Sequence, residues 1–247
     1  MMKLKVMTYN IMSGRSYPEM NAGKEWLDPT LVNPSLVAEV IKEQNAHIVG
    51  MNEVHEAGFI FDNQPERIAK EAGYDYFYFA QAVLDRESPY GNAILSKYPI
   101  LEAETFCIPA GDPSEDERVE ARSIAKATID LGEQKVTLLV SHFGLAPSEK
   151  KMVVEKVKEL IAASPYPCIL MGDFNMEPDE KLIRELSALI KDTAPEKIDK
   201  SQYTFSSNDP FMKIDYIFAD ESMKVEQAMP IEAEPSDHKP YVAELTL

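Results

Sequence analysis

Residues 168–175 read Cys-Ile-Leu-Met-Gly-Asp-Phe-Asn. Four apolar residues follow the breaker cluster Ser164-Pro165-Tyr166-Pro167, and then the hydrophobicity stops at once. A short apolar run fenced by turn formers is the pattern of a strand buried on both faces. Such a strand demands a covering layer on each side, which constrains the fold more than any other stretch of the chain. Gly172 lets the backbone turn as the run ends. Side chains two apart share a face in extended backbone, so Asp173 and Asn175 point together. A carboxylate and an amide at the end of a buried strand can be held rigidly over a cleft. The same residues would also suit a turn closed by an Asx cap.

Other runs end in the same way. Residues 4–11 alternate as a strand and deliver Asn10 at the end. Within residues 47–55 an apolar run ends in Glu53, and residues 134–142 end in His142. Asn33 and Pro34 predict a helix start, with Leu36, Val37, Val40 and Ile41 on one face to about Gln44. Pro65–Ala72, stopped by Gly73, predicts a second helix. Ser148 is expected to cap a third, with Val153, Val154, Val157, Leu160 and Ile161 inward. Asp179–Ile190 predicts a fourth. Strands are expected over 75–83, 90–96, 101–107, 203–205 and 214–218. Residues 119–131 and 134–142 read as a hairpin around Gly132, and 241–247 as a closing edge strand. Residues 12–32, with Arg15, Tyr17 and the only tryptophan, Trp26, form a loop long enough to be functional, and 109–118 an acidic one. Hairpins with helices between them, each helix with one apolar face, predict an α+β fold. Its architecture is a four-layer α/β/β/α sandwich of two mostly antiparallel sheets with helices outside.

The chain has 247 residues, 45% of them hydrophobic, and no linker, repeat or low-complexity tract. That predicts one domain over 1–247. No charged-then-apolar leader and no apolar run of about 18 residues is seen, so a cytoplasmic, soluble monomer without a membrane span is expected. Cys107 and Cys168 lie in apolar segments and are expected to be buried thiols. Twenty-five basic residues against forty-two acidic ones give a net charge of −17. Nucleic-acid binders need a basic footprint, so this balance disfavours a nucleic-acid partner while it suits divalent cations.

Polar groups therefore gather at six predicted strand ends: Asn10, Glu53, His142, Asp173 with Asn175, Asp215, and Asp237 with His238. Carboxylates and amides without cysteine suit a hard cation, Mg²⁺ or Mn²⁺. Two histidines beside them suit proton transfer or charge stabilisation better than a closed zinc site.

The segments Thr8-Tyr9-Asn10-Ile11, Asn52-Glu53-Val54, Gly91-Asn92, Ser141-His142, Gly172-Asp173-Phe174-Asn175, Ile214-Asp215-Tyr216 and Ser236-Asp237-His238 follow one another across almost the whole chain. In this order they resemble the endonuclease/exonuclease/phosphatase superfamily, the deoxyribonuclease I-like metal-dependent phosphohydrolases. Each motif alone is weak; the ordered set is specific. The resemblance implies the four-layer sandwich and Mg²⁺-dependent hydrolysis of a phosphate ester. It implies that Glu53 holds the metal with Asn10 and Asp237 close by. Asp173 would orient or deprotonate the attacking water, and Asn175 would contact the phosphate. His238, paired with Asp215, would be general base or charge stabiliser. His142 would stabilise the transition state or protonate the leaving oxygen. Asn92 and Arg122 would bind substrate. His47 and His55 are expected to be structural.

The departures leave the substrate open. No aromatic membrane-binding hairpin, Lys/Arg cluster or extended phosphatase motif is present. Three readings follow: a hydrolase of a small or lipid-derived phosphoester, an endonuclease or exonuclease on nucleic acid, or an inactive binding module of the same fold. Arg15, Arg118 and Arg122 are the cations expected near the cleft.

Overall fold

The computed structural model describes residues 2–58, 60–85, 88–116 and 118–247; Glu117, in the predicted acidic loop, lies outside them. In chain order the elements are β1 (Lys3–Asn10), α1 (Tyr17–Asn21), α2 (Pro34–Gln44), β2 (Ile48–His55), α3 (Gln64–Ala72), β3 (Tyr76–Asp85), β4 (Ser88–Ser96), β5 (Ile100–Ile108), β6 (Arg122–Asp130), β7 (Lys135–Ser141), α4 (Pro147–Ala162), β8 (Cys168–Asp173), α5 (Lys181–Ser187), β9 (Lys191–Asp192), β10 (Asp215–Ala219), β11 (Lys224–Pro230) and β12 (Tyr241–Thr246).

The local signals explain most of these elements. Pro34 sits in the first turn of α2, and Asn45 takes a left-handed conformation at its end. In α3 the Asn63 side chain accepts from Glu66 N–H, and Gly73, at φ 80°, closes the helix. The α4 cap differs from expectation. Ala146 is the N-cap, and Ser148 Oγ instead accepts Asp112 N–H at 2.9 Å.

Two sheets form, in the orders β11-β12-β1-β2-β4-β3 and β5-β6-β7-β8-β10-β9. Each contains one parallel pair, β1 with β2 and β7 with β8, among antiparallel neighbours. Between the sheets lie Leu4, Val6, Ile48, Ile94, Val140, Ile169, Met171 and Ile217. Outside the first sheet α2 and α3 pack through Val37, Ile41 and Ile68. Outside the second, α4 and α5 pack through Val153, Val157, Leu160, Ile183 and Leu186. The predicted four-layer sandwich is the observed one. At Gly50 the sheets approach so closely that a Cβ would lie 2.8 Å from Met171 Sδ.

Several sequence expectations need correction. β12 lies between β11 and β1, so it is an inner strand and β11 is the edge. Residues 203–205 form only isolated bridges, Phe205 with Met212 and with His238. Cys107 is exposed because β5 is itself an edge strand; Cys168 is buried as expected. Among the described residues, no helix is long and apolar enough to cross a membrane.

Candidate active site

β1 ends at Asn10, whose amide is fully committed to neighbouring groups. Its Oδ1 accepts Met12 N–H at 3.1 Å, and its Nδ2 donates to Glu53 Oε1 and Asp173 Oδ2, each at 3.0 Å. One amide thus joins carboxylates carried by different sheets. Glu53 reaches it through a bulge rather than a strand end. Between the pairs Met51↔Ala93 and Val54↔Gly91, β2 spends two residues against Asn92 alone. Glu53 takes φ 58° there, and the bulge turns its side chain toward the cleft. The other bulge residue, Asn52, is fully buried. Its Oδ1 accepts Asp173 N–H at 2.9 Å and its Nδ2 donates to Asn92 Oδ1 at 2.7 Å. Asn92 donates in turn to Ser123 O at 2.9 Å and Ser123 Oγ at 3.1 Å. A line of buried amides therefore ties the sheets together beneath the carboxylates.

β8 delivers Asp173 directly opposite Asp215, which opens β10 rather than ending a strand. Gly172 is required by its surroundings as well as by its φ of 148°. A Cβ on it would lie 1.8 Å from Ser141 O on β7. Phe174 turns into an aromatic stack with Phe143, Tyr216 and Phe218. Asn175, half-buried, donates to Phe143 O at 2.9 Å and lies 3.1 Å from His142 Nε2. His238 Nδ1 is 2.9 Å from Asp215 Oδ2, and its Nε2 is 3.6 Å from Asp173 Oδ2. His142 Nε2 lies 3.4 Å from the same oxygen. Arg122 Nη1 stands 3.4 Å from His142 Nδ1 and 2.9 Å from Glu120 Oε2. Asp173 Oδ2 is the centre on which Asn10 and both histidines converge.

The electrostatics divide these groups. Burial, together with the charge of Asp215, pushes Asp173 up to about 7 against the opposing charge of His238. Burial disfavours a charged His238, but Asp215 and Asp173 outweigh it and hold the imidazole well above its ordinary value. His142 moves the other way, well below its ordinary value, because it is buried beside Arg122 and His238. At neutral pH His238 is therefore an imidazolium and His142 a neutral ring. Glu53 is raised by burial and by the nearby charge of Asp237.

Asn10, Glu53, His142, Asp173, Asn175, Asp215, His238 and Arg122 are thus linked in one cluster. Asp237 joins its edge through Ser236, whose hydroxyl donates to Asn10 O at 2.7 Å and is 3.2 Å from Asp237 Oδ1. Asn92 lies below the cluster, with both ends of its amide bonded inside the protein. Two of the arginines expected at the cleft stand apart. Arg15 is buried against Trp26, its guanidinium 4.1 Å from the ring centroid, and donates to Trp26 O. Arg118 is exposed and paired with Asp116. His55 is stacked on Phe61 and contacts Ser88 and Ser13, while His47 accepts Lys5 N–H.

Asn52, Ser236 and Lys213 complete the site without having been singled out from the sequence. Asn52 and Ser236 stood inside the ordered motifs; for Asn52 the available signal was a polar residue in an otherwise apolar strand. Lys213, fully buried, donates to Asp215 O at 3.0 Å and packs over the rings of Tyr216 and Tyr241. Nothing in its sequence context marks it.

An endonuclease/exonuclease/phosphatase from Beutenbergia cavernae shares this fold at 22% identity, with a TM-score of 0.82 over 99% of this chain and 72% of its own. A mannosyl-6-phosphatase from Bacteroides thetaiotaomicron is 20% identical, with a TM-score of 0.73 over 99% of this chain and all of its own. The human Nocturnin catalytic domain, solved with bound sulfate, is 17% identical, with a TM-score of 0.70 over 99% of this chain and 93% of its own. At these identities the likeness is one of fold. Among curated proteins no sequence matches. The model of the Endonuclease/Exonuclease/phosphatase family, a family of hydrolytic phosphoesterases, matches residues 7–238, and the chain belongs to that family.

Proposed function

We propose that the chain hydrolyses a small phosphoester by direct attack of water, with a divalent cation, Mg²⁺ or Mn²⁺, as cofactor. The observation that carries this reading is the convergence of Asn10, His142 and His238 on Asp173 Oδ2. A carboxylate raised to about 7 is matched to taking a proton from water at neutral pH. In the proposed step the water oxygen bonds to phosphorus as the ester P–O bond breaks; the water proton passes to Asp173, and the departing ester oxygen leaves with the bonding electron pair and takes its proton from bulk water. His238, held charged by Asp215, stabilises the negative charge that builds on the phosphoryl oxygens. His142 is a neutral hydrogen-bonding group in this reading, not an acid. Asn175 and Arg122 both stand against His142 and would orient the phosphate.

Glu53 and Asp237 are the residues that would hold the cation. The fit rests on Glu53: a carboxylate raised by burial and then by the charge of Asp237 is relieved by positive charge placed between the two. Asp173, Asp215 and His238 also offer ligand atoms within 4.8 Å of one another. In this reading that trio is assigned to proton handling, because Asp215 and Asp173 lie against the two ring nitrogens of His238. Asn10 spends both ends of its amide on Met12, Glu53 and Asp173, and its role is to orient the carboxylates. When bound, the cation supplies Lewis-acid stabilisation of the phosphoryl and leaving oxygens.

The mannosyl-6-phosphatase among the similar structures and the net charge of −17 both support a small substrate. The reading is of a cytoplasmic monomer. A panel of phosphomonoesters, phosphodiesters, nucleic acids and phospholipids, assayed with Mg²⁺ and Mn²⁺ and with chelator, tests it. Turnover of a small ester that chelator abolishes is expected. Failure of every ester under every condition would favour the inactive binding module.

A further inference from the structure

Glu149 lies in the first turn of α4, fully buried and away from the cleft. One carboxylate oxygen accepts Gly111 N–H at 3.1 Å and Glu120 N–H at 2.7 Å, and the other accepts Ala146 N–H at 3.3 Å. The contact with Ala146 is the reach-back to the N-cap that such a glutamate commonly makes. The bonds to Gly111 and Glu120 are not needed by the helix. Two glycines make room for this carboxylate. A Cβ at Gly111 would lie 2.6 Å from Glu149 Cγ, and one at Gly144 would lie 1.8 Å from its Oε2. Both segments it holds lead into the site. Glu120 pairs with Arg122 at the start of β6, and residues 142–146 carry His142 out of β7. A buried carboxylate is costly unless its hydrogen bonds are made, and here they span the two segments that place the arginine and the histidine.

We propose that Glu149 is a positioning residue for the active site: it fixes Glu120, and through Glu120 and Arg122 it sets the positive side of the cleft beside His142. The chemistry it serves rests on the phosphoester reading; the placement rests on the geometry alone. Gln at 149 keeps a carbonyl oxygen for Gly111 and Glu120, whereas Ala keeps nothing.

The test is binding of inorganic phosphate in the presence of Mg²⁺, measured by calorimetry for wild type, Glu149→Ala, Glu149→Gln, Arg122→Ala and the Glu149→Ala/Arg122→Ala double variant. Turnover of the best ester in the panel is measured alongside. Arg122→Ala and Glu149→Ala are each expected to weaken phosphate about tenfold, as loss of a hydrogen bond to a charged group does. The double variant should bind no more weakly than Arg122→Ala, because the two residues act on one contact. Glu149→Gln should stay within about threefold of wild type, and Glu149→Ala should raise KM more than it lowers kcat. If Glu149→Ala does not fold, Gly111→Ala, which drives a methyl against Glu149, carries the same expectation. Additive losses, or wild-type phosphate binding in Glu149→Ala or in Arg122→Ala, overturn the proposal, as does a wild type that binds no phosphate. If the phosphate pattern holds while no ester is turned over, the hydrolase reading fails and the role of Glu149 stands.

Discussion

Asp173 and Lys213 show how burial at single positions becomes a measurable pH dependence. If Asp173 takes the proton from water, it must be ionised, and its protonated form dominates below about 7. Thus kcat/KM is expected to rise with pH up to about 7 and level above it. Asp173→Asn is expected to lower kcat by about a hundred- to ten-thousand-fold and to remove that limb of the profile. An asparagine variant with the wild-type profile would place the base elsewhere. Lys213 is lowered from 10.5 to about 8, chiefly by burial, against the charges of Asp192 and Asp215. The unfolded chain therefore binds this proton more tightly than the folded one. The cost is fully present below pH 8 and fades as pH rises toward 10.5; the gap corresponds to roughly 3 kcal/mol. Wild type is expected to gain about that much stability relative to Lys213→Met between neutral pH and pH 10.5, read by urea unfolding of both proteins. A difference that does not change with pH would refute the assignment. Glu53, His142 and Asp173 were legible because each ends or interrupts a buried apolar run, where a polar residue must have a reason; Asp215, Asp237 and His238 were legible through the ordered motifs. Lys213 and Glu149 were not, since one is a single lysine between Met212 and Ile214 ahead of a strand and the other sits on a helix that reads as amphipathic. Their burial comes from contacts distant in sequence.

The strands position these groups through irregularities as much as through regular pairing. The sequence predicted that a strand would run out at Glu53. Instead β2 continues to His55, and the bulge opposite Asn92 aims Glu53. A bulge costs one extra residue and leaves no compositional trace, so it was invisible beforehand. Helix α2 was legible nearly to the residue because Pro34 and a one-sided apolar face mark it. β11 was missed for the opposite reason. Lys-Val-Glu-Gln-Ala-Met-Pro is mostly exposed, carries Lys224 and Glu226 and ends in Pro230, as an edge strand protected against pairing should, and so it reads as loop. Without β11, β12 was taken for the edge. Gly172 is where local sequence and pairing coincide: a turn residue in the motif, and the one position where β8 passes against Ser141 O. Gly172→Ala is expected to destabilise the protein by about 2–4 kcal/mol through strain and overpacking, and to lower activity by shifting Asp173. Thermal unfolding checks the first effect and turnover the second. A variant with wild-type melting would mean that β7 and β8 can separate freely at this point.

Charge over the whole molecule decides which phosphoester can approach. The net charge is −17, and among the described residues the two sheets bring one arginine, Arg122, into hydrogen-bond reach of the polar cluster around Asp173. Arg15 is buried under Trp26, Arg118 is paired with Asp116, and acidic residues Asp112, Glu115 and Asp116 lie in the segment that leads to Arg122. Protein that grips duplex DNA through about 6–10 phosphate contacts shows log affinity falling with log salt at a slope near −0.9 per contact. A cleft with one or two cations should give a slope of about −1 to −2 and little affinity at ~0.15 M salt. In the proposed reading the same cleft suffices for a small anionic ester, since one phosphate would need one arginine, the histidines and a cation. KM for a small ester is therefore expected to change only a few-fold between about 0.05 and 0.2 M salt. Over that range, cleavage of plasmid or abasic DNA should be weak throughout. Both follow from measuring turnover of the two substrate classes with Mg²⁺ across the salt series. Vigorous DNA cleavage at ~0.15 M salt would reverse the ranking and make the protein a nuclease whose few cations suffice.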